Sequence, residues 1–127
     1  MSDWVRLDLD VKIREILSTA RRVPDHHFER PFLTPYQIAI AFERRYPADF
    51  AAIGLQVGGR GIGARESLAQ YIARELSRRI KNVRGYGIEG AFLSRSNLQR
   101  LEYRDRASTI VSSSQTSYHL SIFRLDD

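Results

Sequence analysis

The chain has 127 residues, of which 43% are hydrophobic and 28% are charged. These are the proportions of a globular protein, and the length predicts one domain over residues 1–127. The chain has no cysteine, which excludes a disulfide scaffold, a thiol nucleophile and cysteine-ligated zinc. Because no apolar run reaches the ~18 residues of a membrane span and no secretory signal is visible, we expect a cytoplasmic protein with no membrane contact.

Basic charge is concentrated in the middle third of the chain. The sequence has 20 basic and 15 acidic residues, a net charge of +5. Residues 60–106 hold eleven of the basic and five of the acidic residues, whereas residues 1–59 hold eight of each. A localised basic excess, almost all of it arginine, is typical of a protein that binds a polyanion. The alternative is an ordinary solvated face on a basic protein.

The first predicted helix runs from about Asp8 or Asp10 to Arg22. Acidic residues stand at its start and arginines at its end, as the helix dipole favours, and we expect the aspartates to cap it. Pro24 prevents the helix from continuing.

The second predicted helix has the strongest local signal in the chain. Thr34-Pro35-Tyr36-Gln37 combines a capping threonine, a proline at the first helical position and a glutamine three residues after the cap. Pro47 ends this helix, and residues 47–53 are predicted to add one more helical turn closed by Gly54.

A glycine-rich loop over residues 58–63 leads into the third predicted helix, about Ala64 to Lys81. The loop matches the dinucleotide-binding fingerprint loosely, but a helical pattern precedes it instead of a strand. Its backbone amides, flanked by Arg60 and Arg65, suit a single phosphate, and a plain linker is the alternative. One face of the helix is apolar, and the other carries Gln70, Tyr71, Arg74, Arg78 and Lys81.

The pattern changes after the third helix. Residues 84–93 are rich in glycine and aromatic residues and favour a ribbon or loop. Residues 98–104, 109–112 and 117–124 read as strands, with a short serine-rich loop before the last of them. The sequence therefore predicts an α+β fold in which three N-terminal helices precede a small antiparallel sheet.

This order of elements resembles that of a winged-helix domain. The resemblance implies that the third helix is the recognition helix, with Gln70, Tyr71, Arg74 and Arg78 facing the major groove of DNA. It also implies that Arg84 and Tyr86 lie in or near the wing. Residues 47–63 are longer than the usual turn between the second and third helices. They are either an insertion or a sign that the helices pack differently.

Two functional hypotheses follow. The first is a small DNA-binding protein, such as a transcriptional regulator, that contacts duplex DNA. Its expected nucleic-acid-binding residues are Arg60, Arg65, Gln70, Tyr71, Arg74, Arg78, Lys81, Arg84 and Tyr86. The second is a protein-interaction module, a small inhibitor or subunit whose arginine face binds an acidic partner.

We expect no enzyme, cofactor or metal. His26-His27 with Glu29 lacks the spacing that would complete a metal site, and Asp8, Asp10 and Lys12, a nuclease-like set, open a helix instead of lying on strands. If the protein regulates transcription, a homodimer is expected. Its apolar interface is predicted at Trp4, Val5, Leu7 and the strand at 117–124.

Overall fold

A computed structural model of the chain describes residues 1–59, 66–106, 108–111 and 119–127. Within these residues the fold is α+β, as predicted, but it has five helices instead of three and two separate antiparallel sheets. The helices are α1 (Asp3–Arg6), α2 (Leu9–Ser18), α3 (Pro35–Arg45), α4 (Pro47–Ile53) and α5 (Leu68–Asn82). The strands are β1 (Ile88–Leu93), β2 (Glu102–Asp105), β3 (Ser108–Val111) and β4 (Leu120–Leu125).

The N-terminal helical region differs most from the prediction. It is divided into α1 and α2 at Asp8, which takes a left-handed conformation with φ of 54° and makes no side-chain hydrogen bond to the helix start. The predicted capping role of Asp8 is therefore wrong. Helix α2 ends at Ser18 and not at Arg22, because the Ser18 and Thr19 hydroxyls donate to carbonyls of the last turn.

The capping box at the start of α3 is confirmed. The Thr34 hydroxyl accepts from the Gln37 amide at 3.2 Å, and the Gln37 side chain accepts from the Thr34 amide at 2.7 Å. These two reciprocal bonds satisfy two amides at the start of α3 that the helix itself leaves without partners. Helix α4 is also confirmed, with Gly54 closing it at a φ of 75°.

We expect Thr34→Ala to lower the free energy of unfolding by about 1 kcal/mol, because the helix start loses its side-chain acceptor. Urea denaturation followed by circular dichroism measures the change. Thr34→Ser is the matched control, since it keeps the hydroxyl and should stay within about 0.5 kcal/mol of the wild type. Equal stability of the alanine and serine variants would contradict the role of the cap.

Helix α5 begins with a second capping box that the sequence analysis did not identify. Ser67 accepts from the Gln70 amide and the Gln70 side chain accepts from the Ser67 amide, both at 3.0 Å. The predicted start at Ala64 lies outside the described residues. The apolar stripe of α5 packs into the core as predicted, with Leu68, Ala69, Ile72 and Leu76 buried.

The core lies between α2, α3, α5 and one face of the β1–β4 ribbon. Its largest fully buried side chains are Phe42, Phe123, Leu9, Ile13, Ile16, Leu17, Ile38, Leu68, Ile72 and Leu76. Trp4 belongs to the same cluster and is only 3% exposed. The prediction that Trp4 supplies a dimer interface is therefore wrong for this side chain. Of the two other N-terminal residues predicted for this interface, Val5 is exposed and Leu7 is partly buried.

The strands form a ribbon and a separate hairpin. Strand β1 lies within the predicted ribbon at 84–93 and pairs antiparallel with β4, from Ile88 opposite Leu125 to Leu93 opposite Leu120. On the other edge of β4, Leu33 forms an antiparallel bridge with Phe123. Part of the edge expected to pair with a second copy is therefore occupied. Strand β2 begins at Glu102, later than predicted, and pairs with β3. Among the described residues, no helix has the length and apolar character needed to cross a membrane.

Candidate nucleic-acid interface

The exposed side of α5 carries a stripe of basic side chains. Arg74 and Arg78 stand one helical turn apart, and their side chains are 58% and 57% exposed. Lys81 extends the stripe towards the end of the helix, and Arg84 follows in the next turn, both exposed. Within the described residues, neither Lys81 nor Arg84 has a carboxylate partner. The two remaining predicted cations, Arg60 and Arg65, lie outside the described residues.

Arg74 and Arg78 each already have an acidic neighbour. Arg74 forms an ion pair with Glu66 and its guanidinium lies 5.5 Å from the centre of the Tyr71 ring. Arg78 lies 2.9 Å from a carboxylate oxygen of Glu75. An exposed ion pair such as that of Arg74 contributes only about 0–1 kcal/mol. A phosphate or a guanine edge can therefore replace Glu66 as the partner of Arg74 at little cost.

Glu75 is a buried carboxylate beneath this basic face. Its side chain is 5% exposed, and it accepts hydrogen bonds from Arg78 and Arg79, each at 2.9 Å. The Arg79 guanidinium also lies 4.5 Å from the centre of the Trp4 ring. The pair between Glu75 and Arg79 was not predicted from the sequence. Its signal was a glutamate followed three and four residues later by arginines, the spacing at which helical side chains meet.

Two predicted base-contacting residues of α5 have structural hydrogen bonds. Tyr71 is half-buried, and its hydroxyl accepts from the Trp4 amide at 3.1 Å, which joins α1 to α5. Burial raises the pKa of Tyr71 above its ordinary value. Gln70 is exposed, but its amide oxygen is the acceptor of the capping box.

Tyr86 holds the segment after α5 against α2. Its hydroxyl donates to the Asp10 carboxylate, and the Arg14 guanidinium lies 4.6 Å from the centre of its ring. Arg14 also donates to the Tyr86 carbonyl at 2.5 Å and to Asp10 at 2.9 Å. The pKa of Tyr86 is raised well above its ordinary value. Burial is the largest cause, and the hydrogen bond to Asp10 is the next. Tyr86 therefore packs against α2, whereas Arg84 beside it is exposed.

We expect Tyr86→Phe to lower the free energy of unfolding by about 1 kcal/mol at neutral pH, because Asp10 loses a donor. Burial raises the pKa of Asp10, but the bonds from Tyr86 and Arg14 outweigh it, and the net shift is downward from 3.8. This stabilisation is therefore present above the unfolded pKa and is lost as the pH falls through the folded one.

Urea denaturation from about pH 7 down to about pH 3 measures this pH dependence. The difference between wild type and variant should shrink below about pH 4 as Asp10 becomes protonated. Tyr71→Phe serves as the control, because its hydroxyl accepts from the backbone amide of Trp4, and its effect should lack this acid dependence. A Tyr86→Phe difference that is constant with pH would contradict the bond to an ionised Asp10.

The other candidate motifs have structural partners. The rings of His26 and His27 stack at 4.6 Å in the exposed connector, and Glu29 pairs with Arg22. Lys12 pairs with Asp49 at 2.5 Å, away from Asp10. Among the described residues, no three histidine or acidic side chains are arranged to hold a metal ion.

The chain was compared with protein-family models, with curated proteins and with solved structures, and none of the three comparisons gave a match.

Proposed function

We propose that the chain is a small DNA-binding protein of the winged-helix type, a cytoplasmic transcriptional regulator whose helix α5 enters the major groove of duplex DNA. The observation that carries the proposal is the exposed basic stripe of α5, opposite a face that is buried in the core. A helix with one buried and one cationic face can present its cations to a polyanion without loss of core packing.

The arrangement of elements supports this proposal. Helices α2, α3 and α5 precede the β1–β4 ribbon, and Leu33, between α2 and α3, bridges to Phe123 on β4. A third extended segment therefore lies beside the ribbon, as in the two- or three-stranded sheet of winged-helix domains. Helix α4 and the β2–β3 hairpin are additions to this scheme. Helix α4 accounts for much of the unusually long connection before α5.

The chemistry of the stripe suits base and phosphate contacts. The major groove admits an α-helix, and arginine can donate two parallel hydrogen bonds to guanine. In the proposed complex, Arg74 leaves Glu66 for DNA, whereas Arg78 stays close to Glu75 and is directed by it. Lys81 and Arg84 bind phosphates, and Tyr71 and Tyr86 hold the helix and the following segment in position.

A gel shift with random-sequence duplex DNA at 50 and 200 mM salt tests this function. If Arg74, Arg78, Lys81 and Arg84 each contact one phosphate, the affinity should fall by roughly 10²-fold between the two salt concentrations. Absence of any shift at the lower salt concentration would contradict the proposal. A regulator that reads paired half-sites is also expected to be a two-fold dimer, which analytical ultracentrifugation measures.

The second candidate function is a protein-interaction module that binds an acidic partner. The observation that favours it is exposed apolar surface on and after β1, where Phe92 is 67% exposed and Leu93 and Leu98 are also accessible. Apolar side chains beside a basic helix suit a protein surface better than a phosphate backbone. Such a partner would co-purify with the chain and stay bound at a salt concentration that releases DNA.

A further inference from the structure

A groove lies between the α3–α4 corner and the β2–β3 hairpin, apart from the basic stripe. It has a volume of about 460 Å³, within the range of small-molecule sites in proteins. The residues that give it its chemical character are Glu43, Phe50, Leu55, Gln56, Asp105 and Ile110.

The groove is held open by the packing around it. Tyr103 of β2 stacks on Tyr36 of α3 with ring centres 5.0 Å apart, which fixes the hairpin against the helix. Ile110 is opposite Tyr103 in the strand register, and Asp105 is two residues further along β2, so all three lie on the inner face of the hairpin. On the other side, Gly54 ends α4 with a φ of 75° and directs residues 55–58 along the groove.

The lining has negative charge and an apolar floor. Glu43 is half-buried, and no described residue forms an ion pair or hydrogen bond with it. The described partner of Asp105 is Arg44, 3.8 Å away and 55% exposed, which is a weak pair. None of the described lining residues is basic. A cation with an apolar body would meet the carboxylates with its charge and Phe50, Leu55 and Ile110 with its carbon atoms.

The wall of the groove is joined directly to the first turn of α5. The Leu68 amide donates to the Gln56 carbonyl at 2.7 Å and the Ala69 amide donates to the Val57 carbonyl at 3.0 Å. Gly58 packs closely on Ser67, where an added Cβ would lie 3.0 Å from the hydroxyl oxygen. A ligand that orders residues 55–57 would therefore also protect these two amides of α5.

We propose that this groove binds a small organic cation, a primary amine or quaternary ammonium compound with an aromatic or branched apolar body. This site goes beyond the proposed DNA binding. It would give the protein a ligand whose contacts reach the helix that carries the basic stripe.

Isothermal titration calorimetry of the full chain with three probes of similar shape tests the proposal. Phenethylammonium should bind at least about tenfold more tightly than the neutral phenethyl alcohol, and the anionic phenylacetate should not bind. In hydrogen exchange, phenethylammonium should slow the amides of Leu68 and Ala69. Equal affinity for the amine and the alcohol, or no binding of any probe, would overturn the proposal.

Variants separate the charge of the site from its volume. Glu43→Gln should weaken phenethylammonium about tenfold while it leaves the alcohol unchanged. Ala51→Leu, which fills the groove from the exposed side of α4, should weaken both probes. Glu102→Gln is the control, because Glu102 alternates with the inward residues of β2 and pairs with Arg100. Unchanged binding in both groove variants would overturn the proposal, and none of these measurements involves DNA.

Discussion

The double variant Arg74→Ala/Arg78→Ala is expected to keep its fold and to lose most of its affinity for duplex DNA. Two arginines that read bases contribute roughly 1–3 kcal/mol each, so the affinity should fall by at least about 30-fold. The free energy of unfolding should change by no more than about 1 kcal/mol, because both side chains are exposed and Glu75 keeps Arg79 as a partner.

Fluorescence anisotropy with a labelled duplex measures this loss. The matched control is Arg22→Ala/Arg45→Ala, which removes the same charge from two exposed, ion-paired arginines outside α5. If the α5 arginines contact only phosphates, the loss of affinity is smaller. The slope of log affinity against log salt concentration then becomes about two units shallower. Equal losses in the two double variants would show that net charge, and not α5, determines binding.

Arg79→Ala is expected to destabilise the protein by about 3 kcal/mol. Glu75 is 5% exposed, and without Arg79 it keeps only the more exposed Arg78 as an ionic partner. Removal of one partner from a buried charge is costly because the remaining carboxylate was taken out of water. The Trp4 ring also loses the guanidinium that lies 4.5 Å from its centre.

Urea denaturation followed by the fluorescence of Trp4, the single tryptophan, measures the effect. Arg78→Ala is the matched control, since it removes the exposed partner of the same carboxylate and should cost less than about 1 kcal/mol. Similar losses in the two variants would mean that Glu75 is no better paired with Arg79 than with Arg78. Such a result would contradict the buried cluster.

Local chemistry explains which parts of the fold were predictable. The cap at Thr34 and the turn at Gly54 depend on residues that are adjacent in the chain, and both are present in the structure. The apolar stripe of α5 was predictable for the same reason, because helical periodicity alone determines which side chains share a face. The start of α5 was missed although Ser67 and Gln70 have the same capping spacing as Thr34 and Gln37.

Contacts between distant parts of the chain explain what was missed. Tyr71 lies three residues before Arg74, and Tyr86 lies two residues after Arg84. This closeness to arginines suggested that both tyrosines contact DNA. In the structure, their partners are Trp4 and Asp10, 67 and 76 residues away. No local pattern encodes such pairs. At Asp8, packing between distant residues overrides a local pattern. Its position suggested a helix cap, but the packing of α1 against the core sets a left-handed bend there.

Contact between α5 and DNA is tested most directly by mapping the binding surface by NMR. Titration of the ¹⁵N-labelled chain with a random-sequence duplex at about 50 mM salt should perturb the exposed positions of α5 and Arg84. The amides of α2 and α4 should change little. Perturbations concentrated on α2 and α4, or their absence despite a gel shift, would contradict the claim that α5 contacts DNA.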